Sequence, residues 1–361
     1  MIFFYVSVIV CLYLLFYISN TRLRPPLESE LTYAQGKVTI LVCMRNAEHE
    51  IDAFIRLISE QEYKNKQLLL VDDQSSDQTF RLIQNWREQF PEWIDILKLE
   101  DKQVHGKKGA ILKALPYVKG DYILFTDIDC HPQSPLWMNY MIAPLQLDEV
   151  DITIGHVIKR TPSSFLGILQ RFQSFWKSIQ FLGFAQRGKA YMAMGGNWAV
   201  NAKKYLLQQN IASHADIASG DDDLVFQALQ SKKNVEVILD EKSWVLTEED
   251  LSLKEHFLQR GRHMSTFSAY DGKANIRLIS APLLMLLGII SMTVLVSQQF
   301  ILAVLIFAVY FIFGLRMMAA SAKVIPAGFP IVLAPLLLPI EFLFQGIGFL
   351  VTLGRKKSDW T

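Results

Sequence analysis

The chain has 361 residues, a formal net charge of +1, 51% hydrophobic residues and a positive mean hydropathy. A charge so near zero argues against a nucleic-acid-binding protein, and the apolar content favours a membrane protein. The three cysteines, Cys11, Cys43 and Cys130, lie far apart, inside or beside apolar runs. This spacing indicates reduced packing residues, not a disulfide framework, and fits a globular part that faces the cytosol.

The first predicted element is a membrane anchor at residues 1–20. Residues 2–18 carry no charge, and as a helix they would cross most of the ~30 Å hydrocarbon core. No basic segment precedes this run and no small-residue cleavage site follows it, which favours an uncleaved anchor over a signal peptide. Arg22 and Arg24 follow the run, so the positive-inside rule places the globular part in the cytoplasm.

Short apolar strands alternate with periodic helical segments between residues 37 and 129. This alternation predicts an α/β fold in which helices cover both faces of a mostly parallel sheet. Ligands of such sheets bind beyond the carboxyl ends of the strands, and polar residues stand at three of these ends. The predicted strands are Val38–Val42, Gln67–Val71, Ile94–Leu99 and Asp121–Phe125, and the predicted helices are Glu48–Glu60, Thr79–Phe90 and Lys108–Leu115.

Asp127 and Asp129 follow the last of these strands. In an extended segment, side chains two residues apart point to the same side, so both carboxylates can face one point. Paired anionic oxygens suit a hard divalent cation, Mg²⁺ or Mn²⁺, of the kind that bridges the phosphates of a nucleotide diphosphate. A solvated loop after a strand is the alternative interpretation of this pair. The polar residues at the neighbouring strand ends favour the metal site.

After Pro135 the pattern is less regular. Ser164–Arg187 is rich in aromatic residues and predicts an amphipathic helix, favoured as a core or membrane-surface helix over a substrate platform. An acidic cluster at Asp221–Asp223 opens a further predicted helix, where carboxylates would offset the positive end of the helix dipole. A basic stretch at Gln259–His263 precedes the apolar C-terminal part, and membrane-surface anchoring is one interpretation of it.

The C-terminal part, residues 278–353, predicts two or three further membrane segments. Leu278–Val296 and Phe300–Leu315 are apolar and long enough to cross or nearly cross a bilayer. Phe329–Leu353 is interrupted by prolines, and whether it crosses or re-enters stays open. We therefore expect a multi-pass protein of a bacterial inner membrane or its equivalent, with a cytoplasmic globular domain at residues 37–265.

Seven short motifs follow one another along the globular part: Met44–Glu48, Val71–Asp77, Gly106–Ala110, Thr126–Asp129, Gly196–Ala199, Gly220–Asp222 and Gln259-x-x-Arg262. In these motifs and their order the chain resembles membrane-bound family 2 glycosyltransferases over residues 37–265. Relatives of those enzymes include ceramide glucosyltransferases and the synthases of cellulose, hyaluronan and poly-N-acetylglucosamine. The resemblance implies a Rossmann-like GT-A fold and an inverting, metal-dependent hexosyltransferase. It also implies a nucleotide-diphospho sugar donor, with UDP as the expected nucleotide, and a lipid or membrane-proximal glycan acceptor.

The resemblance also assigns roles to single residues, with two departures from the family pattern. His263 replaces the family's tryptophan, which puts stacking on a sugar in question. The family's glutamate–aspartate pair reads Asp221-Asp222 here, so the general base is Asp222 with Asp221 as the alternative. The other implied residues are Arg45, Glu48, Asp72 and Asp73 for the nucleotide, Lys107 or Lys108 for the diphosphate, Asp127 and Asp129 for Mg²⁺ or Mn²⁺, and Gln259, Arg262 and His263 for the acceptor and diphosphate.

Two alternative functions stay open at this point. The chain could be a subunit of a processive polysaccharide synthase, although it has few spans for a polymer channel. It could also be a non-catalytic membrane scaffold with a degenerate GT-A domain, against which the intact Asp73, Asp127, Asp129 and Asp222 argue. Metal-dependent release of UDP from a nucleotide sugar by purified membranes distinguishes an enzyme from a scaffold.

Overall fold

The computed structural model describes residues 1–26, 33–100, 106–203, 226, 235–249, 252–264 and 272–353, with the side chains of residues 260, 262–264 and 346–353 left out. The chain divides into two compact units. The sheet unit consists mainly of Pro25–Arg160 and Gly188–Glu249. The helical unit consists of Met1–Arg24, Thr161–Arg187 and Asp250–Asp359.

Helices and strands within the described residues have the following bounds. The helices are α1 (Ile2–Thr21), α2 (Ile51–Ser59), α3 (Thr79–Gln89), α4 (Gly106–Ala114), α5 (Trp137–Ile142), α6 (Phe165–Ala185), α7 (Leu253–Met264), α8 (Gly272–Gln298), α9 (Phe300–Ser321) and α10 (Ala334–Leu353). The strands are β1 (Val38–Met44), β2 (Lys66–Asp72), β3 (Ile94–Lys98), β4 (Tyr122–Phe125), β5 (His131–Pro132), β6 (Ile152–Gly155), β7 (Val157–Arg160), β8 (Trp198–Asn201), β9 (Val235–Ile238) and β10 (Val245–Glu248).

The main sheet of the sheet unit has the strand order β3-β2-β1-β4-β8-β6-β9. The pairs β3/β2, β2/β1, β1/β4 and β6/β9 are parallel, and β8 is antiparallel to both β4 and β6. The predicted mostly parallel sheet is therefore confirmed. The predicted strands and helices before Asp127 recur with small differences at their ends, as when the helix expected at Glu48–Glu60 runs from Ile51 to Ser59.

Burial explains why these segments form the centre of the unit. Strand β2 is buried along its whole length, and β1 is buried at all but one residue. Helix α2 buries four apolar residues with helical spacing against this core: Ile51, Phe54, Ile55 and Ile58. The strand register places Met44 opposite Asp72, and Leu41 opposite Phe125. The carboxyl ends of β1, β2 and β4 therefore lie along one edge of the sheet.

A second, three-stranded sheet has the order β5-β10-β7. Strand β10 is antiparallel to β5 and parallel to β7. Strand β5 begins two residues after Asp129, so this small sheet fixes the segment that leaves the end of β4.

The helical unit contains α1 and α6 to α10. Three of its helices, α1, α8 and α9, are long and apolar enough to cross a membrane, which confirms one N-terminal and two C-terminal membrane helices. A shorter apolar helix covers Ile331–Gln345. Helix α1 packs closely on α8, because the Ser7 hydroxyl donates to Ser291 Oγ (2.9 Å), and a Cβ at Gly288 would lie only 2.8 Å from a methyl group of Val10. Helix α6 is buried along most of its length, as a core helix would be.

Candidate active site

Two loops at the edge of the main sheet are joined by hydrogen bonds. They follow β1 and β2, and each contains one non-glycine residue in the left-handed region, Asn46 (φ 52°) and Gln74 (φ 61°). The amide of Asn46 donates to Ser75 Oγ (2.9 Å), and the amide of Ser76 donates back to Asn46 Oδ1 (2.9 Å). Such backbone conformations persist only where surrounding contacts hold them, so the edge is preformed.

The residues expected to bind the nucleotide gather at these two strand ends. Asp72 is fully buried, and its Oδ1 accepts a hydrogen bond from the Ser75 amide (3.3 Å). Asp73 is 8% exposed, and its amide donates to the Met44 carbonyl (2.8 Å). Glu48 Oε2 accepts from the amide of Gln78 (2.8 Å), so one of its oxygens already supports the start of α3. The fourth residue of this set, Arg45, is exposed just beyond β1.

Asp127 and Asp129 lie in a tight turn directly after β4, in which the Cys130 amide donates to the Asp127 carbonyl (3.0 Å). The Lys107 ammonium donates to Asp127 Oδ1 (2.6 Å), and the Thr247 hydroxyl donates to Asp129 Oδ2 (2.8 Å). One ligand atom from each of Asp127, Asp129 and Cys130 lies within 4.8 Å of the other two. Each carboxylate thus has one oxygen bonded to a protein donor.

The chemistry of these groups fits a hard divalent cation. Desolvation raises the pKa of the Asp129 carboxyl, although the residue as a whole is exposed, and the charge of Asp127 raises it further. A cation between the two carboxylates would relieve both effects. Burial raises the pKa of the Cys130 thiol well above its ordinary value, so the sulfur stays protonated and is a poor ligand for a hard ion. The donor set therefore fits Mg²⁺ or Mn²⁺ held by the two aspartates.

The two candidate diphosphate lysines have different surroundings. Lys107 lies in the first turn of α4, and its ion pair with Asp127 leaves its side chain 26% exposed. Lys108 is 3% exposed. Because the Lys107 ammonium contacts Asp127, Lys107 is well placed for a diphosphate beside a metal held by the aspartates.

The turn before β8 packs against the aspartate turn and is hydrogen-bonded to it. The Thr126 hydroxyl donates to the Gly196 carbonyl (2.9 Å). A Cβ at Gly196 would lie 2.4 Å from Cys130 Sγ, so this approach requires glycine. Fully buried Asn197 receives a hydrogen bond from Trp137 Nε1 (2.9 Å) and donates to the carbonyls of His156 and Ser243 (3.0 and 2.8 Å). This part of the glycine–asparagine motif therefore holds the backbone around the site.

Other predicted residues lie elsewhere. His131 starts β5, and its Nε2 is buried without a hydrogen-bond partner in the described part of the chain. Gln259 is half-buried on α7 of the helical unit, and Arg262 and His263 lie on the same helix with side chains outside the described set. The base candidates Asp222 and Asp221 lie outside the described residues.

The sequence did not lead us to Thr247, although a polar residue at the end of an apolar strand is the pattern that indicated the other site residues. It follows the apolar run Trp244–Leu246 and precedes two glutamates, so it is a polar residue at the end of a strand. Its contact with Asp129 joins residues 118 positions apart, which no local pattern predicts.

Comparison with known proteins gives a family match and two curated relatives. Residues 39–206 match the family model described as Glycosyl transferase family 2. Over 199 residues the chain is 20% identical to a cholesterol galactosyltransferase of Borreliella burgdorferi, covering 53% of this chain and 54% of that protein. Over 95 residues it is 38% identical to WfgD of Escherichia coli, a UDP-Glc:alpha-D-GlcNAc-diphosphoundecaprenol beta-1,3-glucosyltransferase, covering 26% of this chain and 34% of that protein. The chain thus spans no more than 54% of either curated relative.

A solved structure shows the same fold. The mannosyltransferase PcManGT from Pyrobaculum calidifontis, in complex with GDP-Man and Mn²⁺, matches with a TM-score of 0.63 at 14% identity, over 97% of this chain and 99% of that chain. The family match includes the carboxyl ends of β1, β2 and β4, which carry the aspartates, and helix α4, which carries Lys107 and Lys108. Residues 39–206 therefore carry a domain that matches Glycosyl transferase family 2, on a GT-A-like fold with a mostly parallel sheet.

Proposed function

We propose that this protein is a glycosyltransferase that moves a hexose from a nucleotide-diphospho sugar, with UDP as the nucleotide, to a lipid or membrane-proximal glycan acceptor. The observation that carries the proposal is the charge arrangement along one sheet edge, where Asp127 and Asp129 lie beside Lys107 on the edge that also bears Asp72 and Asp73. Carboxylates accept from the N–H and O–H groups of a nucleoside, whereas a cation and an ammonium suit a diphosphate.

The donor nucleotide is assigned to the ends of β1 and β2. Asp73, with Asp72, Glu48 and Arg45, would accept or donate hydrogen bonds at the base and ribose. The relative WfgD is named for the donor UDP-Glc, which supports UDP as the nucleotide of this protein's donor. The similar mannosyltransferase structure contains GDP-Man instead. The identity of the base is therefore the first quantity to measure.

The leaving group is assigned to the turn after β4. Bound Mg²⁺ or Mn²⁺ supplies positive charge that stabilises the departing diphosphate. Asp127 and Asp129 would hold the ion, and Lys107 would add a second positive charge on the diphosphate. The presence of Mn²⁺ in the mannosyltransferase complex supports a divalent ion in this fold.

The transfer itself needs a base on the acceptor side. In the proposed inverting step, the acceptor oxygen forms a bond to the anomeric carbon while the bond from that carbon to the diphosphate oxygen breaks. The acceptor proton passes to Asp222, with Asp221 as the alternative. Gln259, Arg262 and His263 would contact the acceptor or the diphosphate.

A lipid acceptor is supported by the membrane helices and by the relatives. Helices α1, α8 and α9 are apolar and of spanning length. The two relatives are named for cholesterol and for a diphosphoundecaprenol-linked sugar, both of which are lipids. Arg22 and Arg24 follow α1 in the sequence and Arg277 lies near the start of α8, and these basic residues support a catalytic domain in the cytoplasm.

A ligand screen followed by a transfer assay tests the proposal. Purified full-length protein is heated with UDP-hexoses or GDP-hexoses, in Mn²⁺ or in EDTA. We expect a UDP-hexose with Mn²⁺ to raise the unfolding temperature, because ligand bound to the folded state stabilises it by mass action. EDTA should cancel the effect, and the protecting sugar should be transferred to a lipid extract. Protection by GDP-hexoses alone would overturn the UDP assignment, and absence of both protection and transfer would favour a scaffold.

A further inference from the structure

Thr247 lies outside the aspartate turn and contacts Asp129 directly. Its side chain is nearly buried, with the residue 8% exposed, and its hydroxyl lies 2.8 Å from Asp129 Oδ2. A hydroxyl donates one hydrogen and a carboxylate oxygen has two lone pairs, so this contact orients the carboxylate and still leaves lone pairs for an ion.

The small sheet fixes where this hydroxyl lies. Strand β10 is antiparallel to β5 with Leu246 opposite His131, and it is parallel to β7 with Thr247 opposite Lys159. Strand β10 is thus hydrogen-bonded to β5 on one side and to β7 on the other. This register places Thr247 next to the turn that precedes β5. A β-branched side chain has few rotamers, so the backbone position largely determines the position of the hydroxyl.

An ion pair stabilises the end of the same strand. Lys159 Nζ contacts both carboxylate oxygens of Glu249 (2.8 Å each), and these side chains are only 20% and 14% exposed. The neighbouring pair Arg160–Glu248 is 66% exposed on each side. Successive strand residues point to opposite faces, so Glu248 points away from the face that carries Thr247 and provides a matched control on the same strand.

We propose that Thr247 is a positioning residue that orients Asp129 toward a divalent cation by binding its Oδ2. The proposal rests on the metal role of Asp127 and Asp129 in the proposed function. The two carboxylates are held by different kinds of donor. Asp127 is held by a long lysine side chain, whereas Asp129 is held by a short, stiff side chain on a paired strand. The second aspartate is therefore the better oriented ligand of the two.

Manganese binding to the full-length protein in the presence of UDP tests this role, with unbound Mn²⁺ measured by electron paramagnetic resonance. Thr247→Val keeps the shape of the side chain and removes the hydroxyl, and it should weaken Mn²⁺ binding by about 10-fold to 100-fold, as loss of an outer partner of a metal ligand does. Thr247→Ser restores the hydroxyl and should bind close to wild type. Glu248→Gln should not change binding. Thr247→Ala provides a second variant without the hydroxyl if the valine variant does not fold.

The outcomes separate this proposal from the proposed function. Wild-type affinity in Thr247→Val or Thr247→Ala, or an equal loss in Thr247→Ser, would overturn the positioning role while leaving the metal site intact. If the wild-type protein binds no Mn²⁺ with UDP present, both the metal site and the role of Thr247 are wrong. Normal unfolding temperatures in all variants confirm that the comparison concerns the metal site.

Discussion

The Lys107 ammonium lies 2.6 Å from Oδ1 of Asp127, so one aspartate of the proposed metal pair is paired with a protein cation before any ligand is considered. Both side chains are partly exposed, at 26% and 36%, and ion pairs of this kind contribute little to stability. We expect that this ion pair instead holds the Lys107 ammonium at the position proposed for the diphosphate of the donor.

Lys107→Met should therefore weaken UDP binding in the presence of Mn²⁺ by about tenfold or more, since a hydrogen bond to a charged group contributes roughly 1.5–3 kcal/mol. Isothermal titration calorimetry measures this directly. Lys107→Arg keeps the charge and should retain most of the affinity. Lys113→Met changes an exposed lysine of the same helix and serves as the control. Equal affinities for the two methionine variants would show that Lys107 does not contact the diphosphate.

Asp127→Asn and Asp129→Asn should each abolish sugar transfer while the protein stays folded. Loss of one anionic ligand weakens a hard-cation site and the stabilisation of the leaving diphosphate. Transfer rates and unfolding temperatures are measured together, with Asp148→Asn as an exposed control. Near-normal turnover in both variants, with metal still required, would contradict the metal assignment.

Asp222→Asn should remove most transfer and leave UDP affinity near that of the wild type, because a general base acts on the acceptor hydroxyl. Such a base typically contributes about 10²–10⁴-fold to the rate. Asp73→Asn should do the reverse and weaken chiefly UDP binding. Asp221→Asn resolves the ambiguity of one position. If Asp221→Asn loses turnover and Asp222→Asn keeps it, the base is Asp221, and if both keep it, the acidic cluster contains no base.

His156 should make the folded protein sensitive to acid. The residue is buried, and neither ring nitrogen has a hydrogen-bond partner within the described residues. Burial lowers its pKa from 6.5 to about 3, so between these values the unfolded chain binds a proton that the folded chain does not. Stability is therefore lost as the pH falls below about 6.5, by about 2 kcal/mol between pH 7 and pH 5.

The variant His156→Phe keeps a ring against Trp244 and removes the titrating group. Its unfolding temperature should fall less than that of the wild type between pH 7 and pH 5. His49→Gln, at a position with an 87% exposed side chain, should behave like the wild type. A drop in His156→Phe as large as that in the wild type would assign the acid sensitivity to other groups.

The topology can be checked by labelling single introduced cysteines from outside intact cells. Glu88→Cys, exposed on α3, should react with a membrane-impermeant maleimide only after the cells are permeabilised. Gln298→Cys, exposed at the end of α8 between two apolar helices, should react in intact cells. Labelling of Glu88→Cys in intact cells would reverse the orientation and remove access to a cytosolic donor.

The sequence predicted the edge of the sheet well because local patterns determine it. Strands β1 and β2 are apolar runs that end in polar residues, and both are buried almost throughout. Membrane helices were predicted less accurately at their ends. The helix expected from Leu278 begins at Gly272, because hydropathy detects the apolar segment and not a polar first turn. Likewise, α9 continues to Ser321 past the expected end at Leu315, since Arg316 is compatible with a helix.

Long-range contacts account for what the sequence did not predict. Thr247 reaches Asp129 only because β10 pairs with β5, and that pairing depends on the tertiary fold. The choice between Lys107 and Lys108 stayed open because adjacent lysines are equivalent in sequence. Their orientations on α4 make one of them buried and bring the other to Asp127.

Positions 130 and 196 occupy a single volume next to the aspartate turn, because the Cys130 sulfur fills the space that a side chain on Gly196 would take. Substitution at either position is therefore constrained by the other, since a close-packed interior has no room for an added methyl group. In an alignment of related sequences, a residue larger than glycine at position 196 should occur together with a residue smaller than cysteine at position 130. The turn that carries Asp127 and Asp129 is thus expected to evolve by paired replacement and not by independent single changes.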